Sequence, residues 1–220
     1  MIKLIELGPP EPESVATAVA AAGAAAGAPP GCRPQRIAVC TALPALISEA
    51  RHAAVIIGWL ADGRHLEAYR QWQAASAPDR PGRCLVVADE VVLRGADWLT
   101  GRWRDGGPKL KHMALARRAA GLTRQEFSER WRGRAGMVGA LPVPDDARGR
   151  AYVQNHPVGP DMPGGYDAVN EVYFDDEASL RTRIEWFAEH LPDSREEDLV
   201  DEARFIAVRE DVIWDETVPV

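Results

Sequence analysis

Residues 54–72, AVIIGWLADGRHLEAYRQW, lie over residues 168–186, AVNEVYFDDEASLRTRIEW, without a gap. The offset is 168 − 54 = 114 throughout. It brings Ala54, Val55, Asp62, Leu66 and Trp72 onto Ala168, Val169, Asp176, Leu180 and Trp186. The bulky pair Trp59 and Leu60 falls on Tyr173 and Phe174, and the same offset carries Arg36 and Val39 onto Arg150 and Val153. A strand-and-helix unit that occurs twice in one chain predicts a built-in dimer, two half-barrels facing each other across a pocket.

Outward from the second copy, residues 110–117 alternate as a strand does. Thr123 and Glu126 then have the spacing of a capping box, in which hydroxyl and carboxylate satisfy free amides at a helix start. Phe127, Trp131 and Val138 recur on one face, and Pro142 and Pro144 end the predicted helix. Residues 150–156 and 166–174 read as strands around a loop with three prolines and three glycines. Asp175 or Asp176 opens a helix with Leu180, Ile184, Phe187 and Leu191 on its inner stripe, residues 194–203 suit a short helix, and 205–214 are the closing strand. The first half follows the same order: strand 2–7, an alanine-rich helix 14–26, strands 36–41 and 53–60, helix 63–75 and strand 84–93. Asp89 to Leu93 match Glu210 to Trp214 at an offset of 210 − 89 = 121. The expected fold class is α+β, two ferredoxin-like βαββαβ units in tandem closing into one intrachain barrel. Residues 1–95 form the degenerate unit, 96–108 a linker that Trp98 and Trp103 pin to a surface, and 109–220 the second unit.

Composition narrows the function. The net charge of −7, with Lys and Arg scattered and no basic stripe among aromatics, argues against nucleic acid. No apolar run approaches the ~20 residues that cross a bilayer, and Glu6, Glu11 and Glu13 replace the basic start of a signal peptide, so a cytoplasmic location away from membranes is expected. Cys32, Cys40 and Cys84 lack metal or redox spacing and read as small apolar residues in a reducing compartment. His52, His65, His112, His156 and His190 form no HxH or HExxH group, so no metal is expected, and no nucleotide-loop or GxSxG motif calls for a cofactor or a serine elbow.

Several pieces of the second half, in order, resemble the EthD family of the dimeric α+β barrel superfamily. They are the strand end Ala116-Arg117-Arg118, the run from Gly121 to Trp131, Tyr152 to Pro157, and Tyr166 to Asp176. The resemblance implies a barrel of two facing sheets with helices outside, substrates of aromatic, polyketide or lactone type, and isomerisation, dehydration, cyclisation or cofactor-free oxygenation. Related sequences carry a histidine shortly after the tryptophan equivalent to Trp131. Here that stretch reads Trp131-Arg-Gly-Arg134-Ala-Gly-Met, and Arg134 can bind an anionic oxygen but not shuttle a proton.

The candidate catalytic residues are His156, His112 and Glu171. Histidine titrates near neutrality; His156 ends a strand before the glycine- and proline-rich loop, and His112 shares a strand face with small alanines. Glu171, Asn170 and Tyr173 are polar or amphipathic where the first copy has Ile57, Ile56 and Trp59. A buried Glu171 would have a raised pKa and act as an acid or base, or else pair with Arg117, Arg118 or Arg150. Asn170 and Glu171 point to opposite faces. Candidate substrate-binding residues are Tyr152, Asn155, Asn170, Tyr173, Trp131, Arg134 and Trp59. Together these predict a cofactor-independent lyase or isomerase for a small hydrophobic substrate, with a homodimer possible. The alternatives are a non-catalytic ligand-binding or scaffold protein and a cofactor-free oxygenase.

Overall fold

The computed structural model describes the chain except residues 77–79, 106–108, 133–136, 139–140, 160–164, 191–197 and 218–220, and except the side chains of 102–105 and 137–138. The first half runs β1 (Ile2–Leu7), α1 (Glu13–Ala26), β2 (Arg36–Ala42), β3 (Ala54–Leu60), α2 (Gly63–Ser76) and β4 (Cys84–Arg94). After α3 (Ala96–Asp105), the second half runs β5 (Lys109–Arg118), α4 (Arg124–Arg132), a hairpin of β6 (Met137–Val138) and β7 (Leu141–Pro142), β8 (Ala151–Pro157), β9 (Ala168–Phe174), α5 (Glu177–His190) and β10 (Val200–Asp215).

Within each half the strands take the ferredoxin-like order, β4-β1-β3-β2 and β10-β5-β9-β8. Antiparallel pairing of β2 with β10 and of β4 with β8 then closes all eight into one barrel. Closure removes the four exposed edges that two separate sheets would present. The tandem reading of the sequence is the architecture found.

Strand alternation separates a lumen from an outer face. Ile5, Leu7, Ile57, Trp59, Met113, Leu115, Val169 and Val208 pack inside the barrel. Leu4, Ile37, Val39 and Leu60 face outward beneath the helices. Ala18, Ala22 and Ala25 make the buried stripe of α1, and their small size lets that helix lie close to the sheet. No helix among the described residues is long and apolar enough to cross a membrane.

The ladders correct the sequence registers in two places. Ile57 pairs with Ala38 and Glu171 with Val153, so β2 and β8 correspond at 153 − 38 = 115 rather than 114. Lys3 pairs with Ala88 and Lys111 with Val208, so β4 and β10 correspond at 208 − 88 = 120 rather than 121. A one-residue slip turns every side chain to the other face. The equivalents of Cys40 and Glu90 are therefore Asn155 and Glu210.

Three element predictions also change. The span read as a linker contains α3, whose Trp98 meets Tyr173 edge-on at 6.1 Å and whose Leu99 is buried against Ala151 and Val153; the Trp103 side chain lies outside the described residues. Helix α4 stops at Arg132 and Val138 belongs to the hairpin, in a stretch where Gly133, Gly136 and Gly139 disfavour helix. Residues 200–203, expected as helix, extend β10, while 194–197 lie outside the described residues.

Candidate functional site

Alternation along β8 and β9 distributes the predicted site residues between two environments. Asn155, Glu171 and Tyr173 share the lumen with Trp59, whereas Tyr152, His156 and Asn170 face the helix layer with Gln154. Glu171 and Asn170 do take opposite faces.

The outer network is roofed by α4. Its capping box forms as expected: Glu126 accepts from the Thr123 amide at 2.8 Å, and the Glu126 amide donates to the Thr123 hydroxyl at 3.2 Å. That start seats Phe127 in the core and stacks Trp131 on it at 5.2 Å. The Trp131 indole N–H then donates to Asn170 Oδ1 at 3.2 Å. Asn170 Nδ2 and Gln154 Nε2 both donate to the Tyr152 hydroxyl, at 2.9 and 3.0 Å. Because the Gln154 amide nitrogen donates there, its Oε1 accepts from His156 Nε2 at 3.1 Å, which places the ring proton on Nε2. His156 Nδ1 is left as an acceptor for the Ser128 hydroxyl at 3.2 Å. Burial lowers the His156 pKa, Arg132 adds to that, and Asp89 across the ladder opposes it. The ring is a neutral base at neutral pH.

The Tyr152 hydroxyl, with both acceptor positions filled, has no acceptor for its own proton among the described residues. Burial raises its pKa. Within electrostatic reach stands Arg183 of α5, 9% exposed and without a carboxylate partner among the described residues. Its Nε donates to His112 Nδ1 at 3.1 Å and its Nη1 to the Ala147 carbonyl at 2.8 Å. Burial pulls this guanidinium down to about 9, so it remains a cation at neutral pH. His112 is stacked on Phe205 at 5.2 Å, and burial and Arg183 hold its pKa well below the usual value. The alanines beside it did not leave an open space at the ring. Arg134 lies outside the described residues.

The lumen holds a different assembly. Lys3 and Lys111 occupy equivalent ladder positions, opposite Trp59 and Tyr173. Each is ion-paired within its own half, Lys3 with Glu90 and Lys111 with Glu210. Glu171 bridges the halves, Oε1 to Lys3 and Oε2 to Lys111, both at 2.5 Å. It also accepts from Asn155 Nδ2 and the Tyr173 hydroxyl, both at 3.0 Å. Lys3 lies 5.0 Å from the Trp59 ring and Lys111 4.7 Å from the Tyr173 ring. Burial alone would raise the Glu171 pKa, but Lys111 and Lys3 together hold it below the carboxylate range. Burial alone would lower the Lys3 pKa, but Glu171 and Glu90 raise it. The Cys40 thiol is pushed up by burial and stays protonated. Two ammonium groups face three carboxylates, 2 − 3 = −1, and Glu210 Oε1 and Asn155 Oδ1 are buried without a hydrogen-bond partner among the described residues.

The sequence pattern groups His156 with Tyr152, Asn155 and Tyr173, but Asn155 and Tyr173 face the lumen, away from His156 and Tyr152; Lys3, Lys111, Glu90 and Glu210 of the lumen cluster and Gln154, Ser128 and Arg183 of the outer network are not among its candidates. The cations beside Glu171 are lysines rather than the arginines considered. A signal existed: Lys3 has the parity of Ile5 and Leu7, and Lys111 that of Met113 and Leu115, so both lysines lie on apolar, inward faces.

No family model matches the chain, and no curated protein matches it in sequence. Among solved structures, an anthrone oxidase-like protein superposes with a TM-score of 0.57 at 11% identity, over 98% of this chain and 94% of that one. A variant chlorite dismutase from Candidatus Nitrospira defluvii superposes with a TM-score of 0.45 at 11% identity, over 96% of this chain and 91% of that one. The fold is that of the dimeric α+β barrel proteins. At these identities the likeness concerns the fold alone.

Proposed function

We propose that the chain is a cofactor-independent enzyme, EthD-like in kind, that removes a proton from a hydrophobic, enolisable substrate of aromatic or polyketide type. The observation that carries this reading is the buried Arg183 guanidinium, without a carboxylate partner among the described residues, within electrostatic reach of a Tyr152 hydroxyl whose own proton is uncommitted. A buried cation of this kind favours negative charge developing on a substrate oxygen. Neutral His156 is the base. It takes the proton from carbon at Nδ1, the Ser128 hydroxyl that donates there turning aside, while the anion gathers at Tyr152 and Arg183. Returning the proton to another carbon gives isomerisation, and delivering it to a departing hydroxide gives dehydration. One amide, that of Gln154, separates base from anion site through hydrogen bonds of 3.1 and 3.0 Å.

The anthrone oxidase-like neighbour favours a second reading, in which the same carbanion gives its electrons to dissolved oxygen. Glu171, fixed between two lysines, suits a structural part in either reaction.

Anthrone is the probe for both. Under argon in deuterium oxide, the protein should speed exchange of its acidic ring hydrogens, and His156→Ala and Arg183→Gln should abolish the acceleration. No acceleration, or unaffected variants, would remove the reading. In air, stoichiometric oxygen uptake selects the oxygenase, and exchange without uptake selects the lyase or isomerase.

A further inference from the structure

At the end of the barrel opposite the lysine cluster lies a groove of about 470 Å³ that both halves build. Its floor is apolar, with Leu66 of α2, Leu85 and Val87 of β4, and Pro157 and Val158 at the end of β8. Its rim is arginine: Arg70 from α2, Arg117 and Arg118 from the end of β5, and Arg124 from the start of α4. Two carboxylates, Asp167 and Asp201, also line it. Arg118 pairs with Asp167, which Arg124 also approaches at 4.0 Å while donating to the Gly159 carbonyl, and Arg117 pairs with Glu202 at 2.8 Å. Glu202 is also bound by Arg204 at 2.7 Å. Among the described residues, five arginines meet three carboxylates here, on a chain whose net charge is −7. Arg70 is exposed and has no carboxylate partner among the described residues.

We infer that this groove binds an organic anion, an apolar body lying on the valine and leucine floor with a carboxylate, sulfonate or phosphate held by Arg70 and Arg124. Guanidinium forks match such oxyanions, and the low-lying apolar surface around them limits competition from water. The inference concerns binding and does not rest on the reaction proposed above, whose residues lie under α4. It does place an anionic ligand near that site, because Arg124 and Ser128 are one helical turn apart on α4 and Ser128 touches His156.

The test is calorimetric titration with 2-naphthoate, using its neutral amide as the control. Naphthoate should bind once per chain. The amide, Arg70→Gln, Arg124→Gln and half-molar salt should each weaken binding about tenfold, the effect of losing one charge-assisted contact. Val87→Trp should block the groove without touching an arginine. His156→Ala should bind naphthoate as the unaltered chain does, even though it is expected to lose anthrone exchange, so the two ideas fail separately. Equal affinity for acid and amide, arginine variants that fold by circular dichroism yet bind normally, or no binding of millimolar naphthoate would overturn the inference.

Discussion

Lys3 and Lys111 hold equivalent positions in the two halves of the barrel and share one carboxylate, with a Glu171 oxygen 2.5 Å from each. The Lys–Glu pair is duplicated and Glu171 is not, since its counterpart is Ile57. The cluster carries one surplus negative charge, so its members should not be equally costly to lose. Glu171→Gln leaves two ammonium groups facing two carboxylates and should cost about 1–3 kcal/mol in lost charge-assisted hydrogen bonds. Lys111→Met leaves three carboxylates, two of them fully buried, with one cation and should cost about 3–5 kcal/mol. Urea unfolding of both variants gives the order, and a Glu171→Gln more harmful than Lys111→Met contradicts this account.

Tyr152 is expected to matter for stability and turnover together. Its hydroxyl accepts from both Asn170 and Gln154, so Tyr152→Phe leaves two amide donors without that acceptor at about 1–3 kcal/mol each. It also removes the proton offered to the substrate anion. Anthrone exchange should fall about a hundredfold, the usual scale for losing one such donor. A variant that unfolds more readily but exchanges anthrone at the original rate would leave Tyr152 as a packing residue only.

Three histidines set the acid side of the stability profile. Burial lowers the pKa of His52, His112 and His156 from the ordinary 6.5. Between 6.5 and their folded values the unfolded chain binds more protons, so their contribution is complete above about pH 6.5 and is lost as the pH falls. Glu171 has its pKa lowered from 4.5 and acts only in more acidic solution. The urea midpoint should therefore decline from pH 6.5 to 5, and His112→Gln should flatten that decline. A midpoint independent of pH over this window would show that these rings are not held neutral.

The order of strands and helices was readable because both copies keep the same sequence of periodicities, and the Trp59 and Tyr173 correspondence holds in the lumen. What escaped was register. Offsets of 114 and 121 for β2 and β4 are each one residue from those the ladders take, and that slip hid Glu90 opposite its counterpart Glu210. Short strands with few identical residues fix a face only through pairing, which lies in distant sequence. Arg183 escaped for a different reason: on a helix rich in arginine and glutamate its position looks solvated, and only the packing of α5 against β5 buries it beside His112.

The junction between β4 and α3 should tolerate substitution far less than the turn after β8 does. Gly95 has φ +77°, and a Cβ there would stand 2.4 Å from the Arg150 carbonyl oxygen and 2.8 Å from Ala151. Gly159 has φ +85°, but nothing among the described residues lies within 4 Å of its added carbon. Gly159→Ala should therefore cost only the left-handed backbone conformation, about 1–2 kcal/mol. Gly95→Ala adds a clash with backbone that belongs to the β8 ladder, worth roughly another 1–3 kcal/mol. Relief would have to move α3, and with it Leu99 and the contact of Trp98 with Tyr173. Paired denaturation curves measure the difference, and equal losses at the two glycines would mean that α3 is not seated as tightly on β8 as these distances require.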